Sequence, residues 1–146
     1  MITGKFPALR LRRSRKNDWS RRLIEENNLT SNDFILPIFL IDGKNKKQPI
    51  KSMPNVYRYS IDKISFIIDR AIRNGLPMVA LFPYTSKKNK NALGTEALNE
   101  NNLVCKALRL IKSKFKNEIG VMCDVALDPY TSHGHDGLLK SGYVIN

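Results

Sequence analysis

The sequence predicts an α/β fold built on a parallel sheet. Three apolar runs of strand length, at residues 34–41, 77–82 and 119–127, alternate with two segments of helical periodicity. The strand-like runs are apolar at nearly every position, which is typical of strands covered on both faces. Strands of that kind, separated by helices, form right-handed βαβ units, and the residues that carry chemistry follow the carboxyl ends of the strands.

The first elements are a short helix and a strand. The helix is predicted from Trp19 to Asn27, with Leu23 and Ile24 as its apolar contacts. The strand is FILPIFLI, residues 34–41. Pro37 within it lacks the amide hydrogen that a ladder needs, which argues against a central position in the sheet.

Two amphipathic helices and two further strands follow. Ser60 is a candidate N-cap for a helix that runs to Asn74, and Gly75 is a typical stop. The apolar face of this helix consists of Ile61, Ile64, Ile68, Ala71 and Ile72. The second strand is PMVALF, and a helix over residues 99–116 precedes the third strand, Ile119 to Leu127. The apolar face of that helix consists of Leu103, Val104, Ala107, Leu108, Ile111 and Phe115.

Composition indicates one ordinary globular domain. The chain has 146 residues, of which 42% are hydrophobic and 26% charged. Its N-terminus lacks the apolar segment of a secretory signal, and no apolar run approaches the ~18–20 residues of a membrane span. Cys105 and Cys123 lie in apolar surroundings and are expected to be reduced, buried thiols. We therefore expect a cytoplasmic protein with no membrane partner.

Positive charge is concentrated at the N-terminus. Of the net charge of +12, eight basic residues and one acidic residue place +7 in residues 1–22, which leaves +5 for the other 124. Such an arm could bind nucleic acid phosphates, lie on an acidic neighbouring subunit, or remain a solvated tail. Charge alone leaves these alternatives open.

A cluster of polar residues, DVALDPYTSHGHDG, occupies residues 124–137 at the end of the third predicted strand. A second polar segment, YTSKKNKN, follows the second strand, so both lie where α/β enzymes place their chemistry. Asp124 falls inside the predicted strand, where an unpaired carboxylate would be costly to bury, so it is expected to have a partner or a ligand. Oxygen-rich ligand sets suit hard cations, yet the spacing matches no standard zinc pattern. A metal site and a turn capped by Asp, Ser and His both remain possible at this point.

Five segments together resemble the delta-aminolevulinic acid dehydratase family, also called porphobilinogen synthases. They are FPALRLRRSRKNDW, LPIF, SMPNVYRYS, ALFPY and the distinctive DVALDPYTSHGHDG. The resemblance implies a (β/α)8 TIM barrel with an N-terminal arm that embraces a neighbouring subunit. Residues 1–30 would then form the basic arm with its short helix, and residues 31–146 the first three β/α units of an incomplete barrel.

The resemblance also implies a reaction. The family consists of lyases that condense two molecules of 5-aminolevulinate, with loss of two waters, to porphobilinogen for heme and other tetrapyrroles. Lysines that form Schiff bases with the substrate ketones carry the reaction. Both lysines come from later strands, so the chain is expected to be the N-terminal portion of the enzyme and to be inactive alone. An alternative from another class is a basic binding module derived from the enzyme.

The metal chemistry of the family differs between branches. Many members hold a catalytic zinc with three cysteines, whose positions here are Ala126, Asp128 and Asp136. Because carboxylates and an alanine do not replace thiolates, zinc is not expected in the active site. The chain resembles the aspartate-rich branch, in which Asp124, Asp128 and Asp136 would line the active site and assist proton transfers.

The same resemblance gives the expected cofactor and partners. Magnesium is the expected metal, with its main ligands outside these residues, and Asp128, Asp136 and His135 are the candidate metal ligands within them. His133 and His135 are otherwise expected to brace the loop. The full-length family members form homo-octamers, so we expect a homo-oligomer that binds 5-aminolevulinate and no nucleic acid.

Overall fold

The N-terminal unit of the chain contains little regular structure. The computed structural model describes residues 4–145. The chain consists of two compact units, Met1–Thr30 and Ser31–Asn146. In the first unit a 3₁₀ turn, Arg13–Arg15, precedes helix α1, Asp18–Leu23. The Asp18 carboxylate pairs with Arg22 Nε at 3.1 Å, one turn further along the helix. The predicted helix was too long at its C-terminal end, and Leu23 and Ile24 are exposed rather than packed.

The second unit is a mixed α/β structure in which the three predicted strands are parallel, and a short fourth strand joins them in the same direction. Its elements are β1 (Ile35–Ile41), β2 (Lys47–Pro49), β3 (Tyr57–Tyr59), α2 (Ile61–Arg73), β4 (Met78–Tyr84), α3 (Leu103–Phe115), β5 (Gly120–Cys123), β6 (Leu138–Lys140) and β7 (Tyr143–Ile145). The main sheet has the order β2-β3-β1-β4-β5, in which β3, β1, β4 and β5 are parallel and β2 is antiparallel to β3. Strands β6 and β7 form a separate antiparallel hairpin. Within residues 4–145 there are thus two complete βα units and a third strand without a following helix.

One face of the sheet packs against both α2 and α3. Alternate residues of β1 and β4 meet the apolar faces of the helices, and this core is fully buried at Leu40, Ile64, Ile68, Val79, Leu81, Ala107 and Ile111. The other face carries Phe39 and Phe82, whose ring centroids lie 5.6 Å apart. Near its edge this second face is open, since Met122 is 45% exposed. The helices of this unit therefore cover only one of the two apolar faces that the sequence predicts.

Strand β1 accommodates Pro37 because its pairing is incomplete at that point. Pro37 is opposite Ala80 of β4, whereas β3 pairs with β1 only at Phe39 and Leu40. At Pro37 the strand therefore has a hydrogen-bonded neighbour on one side only, and a proline is tolerated at such an edge. The β2–β3 hairpin that provides the second neighbour was not predicted.

The caps of the two long helices differ. Asn102 is the N-cap of α3, where its side chain accepts a hydrogen bond from the Cys105 amide at 2.9 Å. Ser60 precedes α2 as predicted, but its buried hydroxyl accepts from the Lys46 amide instead of capping the helix. Within residues 4–145 no helix has the length and apolar character of a membrane span.

Candidate functional site

Two loops meet at the carboxyl end of the parallel strands. We call residues 85–102, which follow β4, the basic loop, and residues 124–137, which follow β5, the acidic loop. Asn91 of the basic loop joins them through its backbone. Its amide donates to the Tyr130 carbonyl at 3.3 Å, and its carbonyl accepts from the Ser132 amide at 2.9 Å. The predicted position of both loops beyond the strand ends is confirmed.

Strand β5 is shorter than predicted, and this changes the environment of Asp124. The strand ends at Cys123 rather than Leu127, because its pairing with β4 stops at Leu81. Asp124 therefore lies outside the strand and is exposed, and Val125 beside it is fully exposed. The expectation of a buried carboxylate in need of a partner was wrong.

Asp128 and Asp136 are adjacent but differ in their contacts. One carboxylate oxygen of Asp136, Oδ1, accepts hydrogen bonds from two successive backbone amides, Leu127 at 2.6 Å and Asp128 at 3.1 Å. The side chain of Asp128 is exposed and takes part in no hydrogen bond or ion pair within residues 4–145. One carboxylate thus shapes the loop, and the other is available to a ligand.

The two histidines lie side by side in the loop. The rings of His133 and His135 are stacked with centroids 6.3 Å apart. Both ring nitrogens of His133 are buried without a hydrogen-bond partner in the described part of the chain. His135 is exposed, and its carbonyl accepts from Thr131 Oγ1 at 2.9 Å. His135 thus contacts the rest of the loop both through its backbone carbonyl and through the stacking of its ring on His133.

Three residues that organise the loop were not predicted. Two of them, Tyr130 and Thr131, are the buried residues of the loop, with only 6% and 1% of their surfaces exposed. Burial raises the pKa of the Tyr130 hydroxyl, and it also raises the pKa of the Cys123 thiol. The third residue that organises the loop is Asn91, and it belongs to no periodic pattern in the sequence. The cysteines themselves are free, as expected, but half-buried rather than fully buried.

Metal-ligating side chains do not converge in these loops. Within residues 4–145, no three His, Cys, Asp or Glu side chains form a group that could hold a metal ion. The cysteine-type zinc set has no counterpart, because Ala126 offers no donor and one oxygen of Asp136 is taken by backbone amides. The oxygen donors that remain suit a hard cation such as magnesium. The assignment of Asp128, Asp136 and His135 as metal ligands stays a prediction.

A parallel α/β sheet whose polar loops gather at the carboxyl ends of the strands is the architecture of α/β enzymes, with the site in those loops. Comparison with known proteins gives the particular family. The sequence profile described as Delta-aminolevulinic acid dehydratase matches residues 8–146. The chain belongs to the delta-aminolevulinic acid dehydratase family, whose fold is a TIM barrel.

Individual relatives agree with this assignment. A delta-aminolevulinic acid dehydratase of Bradyrhizobium diazoefficiens is 54% identical over 95% of the chain and 39% of the relative. One of Chlamydia pneumoniae is 40% identical over 94% of the chain and 41% of the relative. A crystal structure of the Toxoplasma gondii delta-aminolevulinic acid dehydratase (porphobilinogen synthase), in complex with the reaction product porphobilinogen, has a TM-score of 0.85 at 34% identity. That match covers 94% of this chain and 39% of the other. The chain thus spans about two fifths of the length of these relatives.

Proposed function

We propose that the chain forms the N-terminal part of a porphobilinogen synthase, which condenses two molecules of 5-aminolevulinate to porphobilinogen with loss of two waters. The observation that carries this proposal is the family match over residues 8–146, which includes the whole acidic loop. The complex of the Toxoplasma gondii relative with porphobilinogen supports the product. The strands β1, β4 and β5 would be the first three strands of the barrel.

The acidic loop would handle the substrate amine and its protons. Asp124 and Asp128 present exposed carboxylates beyond the end of β5, where an ammonium group can pair with them. A carboxylate that is free of other partners can also accept or return a proton during the two dehydrations. The lysines that form Schiff bases would come from strands outside residues 1–146.

Magnesium is the metal we propose for the complete enzyme. The family is metal-dependent in general. A bound divalent cation would supply charge stabilisation, and the loop of this chain offers it oxygen donors at Asp128 and Asp136 and an imidazole at His135. With Ala126 in place of a donor, the same positions do not form a zinc-thiolate site. The main magnesium ligands would lie outside these residues.

We further propose that the basic arm, residues 1–30, packs on a neighbouring subunit of a homo-octamer. The exposed apolar side chains Leu11, Trp19 and Leu23 support an arm that has a protein surface to cover. Because both cysteines are free thiols, we place the protein in the reducing cytoplasm.

The experiment uses a grafted enzyme. Residues 1–146 replace the matched segment of the Bradyrhizobium diazoefficiens relative, and the product is assayed for porphobilinogen formation from 5-aminolevulinate. Because the two sequences are 54% identical over this region, we expect turnover within about tenfold of the parent, or about 1.4 kcal/mol in the barrier. Borohydride should trap substrate on a lysine outside the grafted residues.

The grafted enzyme with Asp128→Asn is the matched control, since it removes one charge from an exposed side chain and should lower turnover. A soluble grafted enzyme that neither turns over nor traps substrate, beside an active parent, would contradict the proposal. Tight, salt-sensitive RNA binding by residues 1–30 would instead favour the binding-module alternative.

A further inference from the structure

The two cysteines of the chain lie at the same end of the parallel sheet, on elements that share one core. Cys123 is the last residue of β5, and Cys105 lies in the first turn of α3. Helix α3 connects β4 to β5, and in such a crossover the helix runs antiparallel to the strands that it joins. The first turn of α3 is therefore at the carboxyl end of β5.

The side chain of Cys123 is directed towards the helices. In the register of the sheet Cys123 is opposite Leu81, which is fully buried in the core that α2 and α3 form with the sheet. Since paired residues of neighbouring strands point to the same face, the Cys123 thiol lies on that face, and it packs against the same core. Burial raises the pKa of this thiol, and the charge of Cys105 raises it further, as a neighbouring thiolate does.

A hydrogen bond fixes the alignment of α3 against β5. The Lys112 ammonium donates to the carbonyl of Ile119, just before β5, at 3.4 Å. Cys105 precedes Lys112 by two turns on the same side of the helix, which is about 10 Å along its axis. Cys123 follows Ile119 by four residues, which is about 13 Å along the strand. The two cysteines are thus at nearly the same height on neighbouring elements.

We propose that Cys105 and Cys123 are an oxidisable thiol pair, which a peroxide converts to a disulfide that fastens the end of β5 to α3. Both thiols are half-buried, so a small oxidant in solution can reach them. Cys105 reacts first, because the raised pKa of the Cys123 thiol keeps that sulfur protonated at neutral pH.

The oxidation proceeds in two steps. The Cys105 sulfur attacks one oxygen of the peroxide and the O–O bond breaks, which gives a sulfenic acid at Cys105 and, with the thiol proton, one water. The Cys123 sulfur then attacks the sulfenic sulfur, and the S–S bond forms as the hydroxyl group leaves with the Cys123 proton as a second water. The two thiols lose two electrons and the peroxide gains them.

The disulfide acts on the acidic loop through Asp124, which follows Cys123 directly. Strand β5 pairs with β4 only as far as Cys123, so Asp124 is held by the end of a strand and by no ladder of its own. A disulfide sets its two Cα atoms about 5.5–6 Å apart, and closing it therefore shifts the end of β5 and the Asp124 carboxylate with it. This effect on turnover rests on the proposed function, whereas the disulfide itself does not.

Peptide mapping of the grafted enzyme tests the thiol pair without any assay of activity. After treatment with hydrogen peroxide and alkylation of free thiols, we expect two peptides joined through Cys105 and Cys123, which dithiothreitol separates. In the Cys123→Ser variant, dimedone added with the peroxide should label Cys105 as its sulfenic acid. Recovery of both cysteines alkylated or singly oxidised, without joined peptides, would overturn the proposal.

Turnover of the same enzyme measures the effect on the acidic loop. We expect kcat to fall about tenfold on oxidation and to recover on reduction, since a displacement of about 1 Å can cost about 100-fold. The matched control is Cys105→Ser, which should keep its turnover both before and after peroxide. Full turnover of the cross-linked enzyme, or equal sensitivity of Cys105→Ser to peroxide, would refute the switch. Joined peptides in an inactive grafted enzyme would still establish the thiol pair, so its failure and the failure of the proposed function are distinguishable.

Discussion

Two glycines of the acidic loop make a matched pair for testing its geometry. Gly134 and Gly137 both have positive φ, +75° and +89°, so an alanine is strained at either position. They differ in their surroundings. A Cβ on Gly134 would meet nothing within 4 Å, whereas a Cβ on Gly137 would collide with the carbonyl oxygen of Ile145. Because that oxygen belongs to the backbone of β7, it cannot rotate away.

The expected costs follow from these distances. Alanine at a left-handed residue destabilises the folded state by about 1–2 kcal/mol. Alanine also lowers the conformational entropy of the unfolded chain, which offsets about 0.4–1 kcal/mol of this cost. Gly134→Ala should therefore destabilise the loop by about 0–1.6 kcal/mol. Gly137→Ala carries the same terms and a further cost of about 1–3 kcal/mol for forcing a methyl group against the backbone. The difference corresponds to about a 5- to 160-fold change in the local opening equilibrium.

Hydrogen exchange of the β6–β7 hairpin in the grafted enzyme measures this difference. Peptides from residues 138–145 should exchange faster in Gly137→Ala than in Gly134→Ala by the factor above, and kcat should fall further because Asp136 precedes Gly137. Equal exchange in the two variants would refute the contact between Gly137 and Ile145. Equal loss of kcat with unequal exchange would show that the hairpin does not influence the contact of Asp136 with the Leu127 and Asp128 amides.

Three further outcomes are expected. The grafted enzyme should keep its activity when zinc is chelated and gain activity with magnesium; a stoichiometric, essential zinc after dialysis would contradict the absence of thiolate ligands. Deletion of residues 1–22 should give a smaller assembly with impaired activity by light scattering, and an unchanged octamer would count against the proposed role of the arm. The isolated chain, residues 1–146, should form no porphobilinogen and should self-associate through the open edge of β5 and the exposed Met122; turnover, or a lysine within it trapped by borohydride, would show that a nucleophile was missed.

The sequence predicted best the elements whose burial is periodic. Helix α2 was predicted to run from a cap at Ser60 to Asn74, and it runs from Ile61 to Arg73, because its apolar face is packed on the sheet over its whole length. The start of α3 was placed too early, since several asparagines precede it and each could cap a helix. Only Asn102 does so, and a 3₁₀ turn, Thr95–Leu98, occupies the preceding segment.

Elements that depend on pairing rather than periodicity were predicted less well. The apolar run after β5 continues to Leu127, but β5 pairs with β4 only as far as Leu81, although β4 itself continues to Tyr84 and pairs there with β1. The β2–β3 hairpin was missed because each of its strands has three residues, too few to show alternation. The length of β5 and the lengths of β2 and β3 depend on the strands they pair with, so the composition of each segment does not give them.

The acidic loop shows why residue types can locate a site without assigning its roles. From the sequence, Asp128 and Asp136 are equivalent carboxylates in one polar segment. They differ because the amides of Leu127 and Asp128 donate hydrogen bonds to Asp136 Oδ1. Hydrogen bonds from the Thr131 hydroxyl and with the Asn91 backbone fix the surrounding segment. Since backbone amides bind a carboxylate whatever side chains they bear, this arrangement leaves no pattern in the sequence.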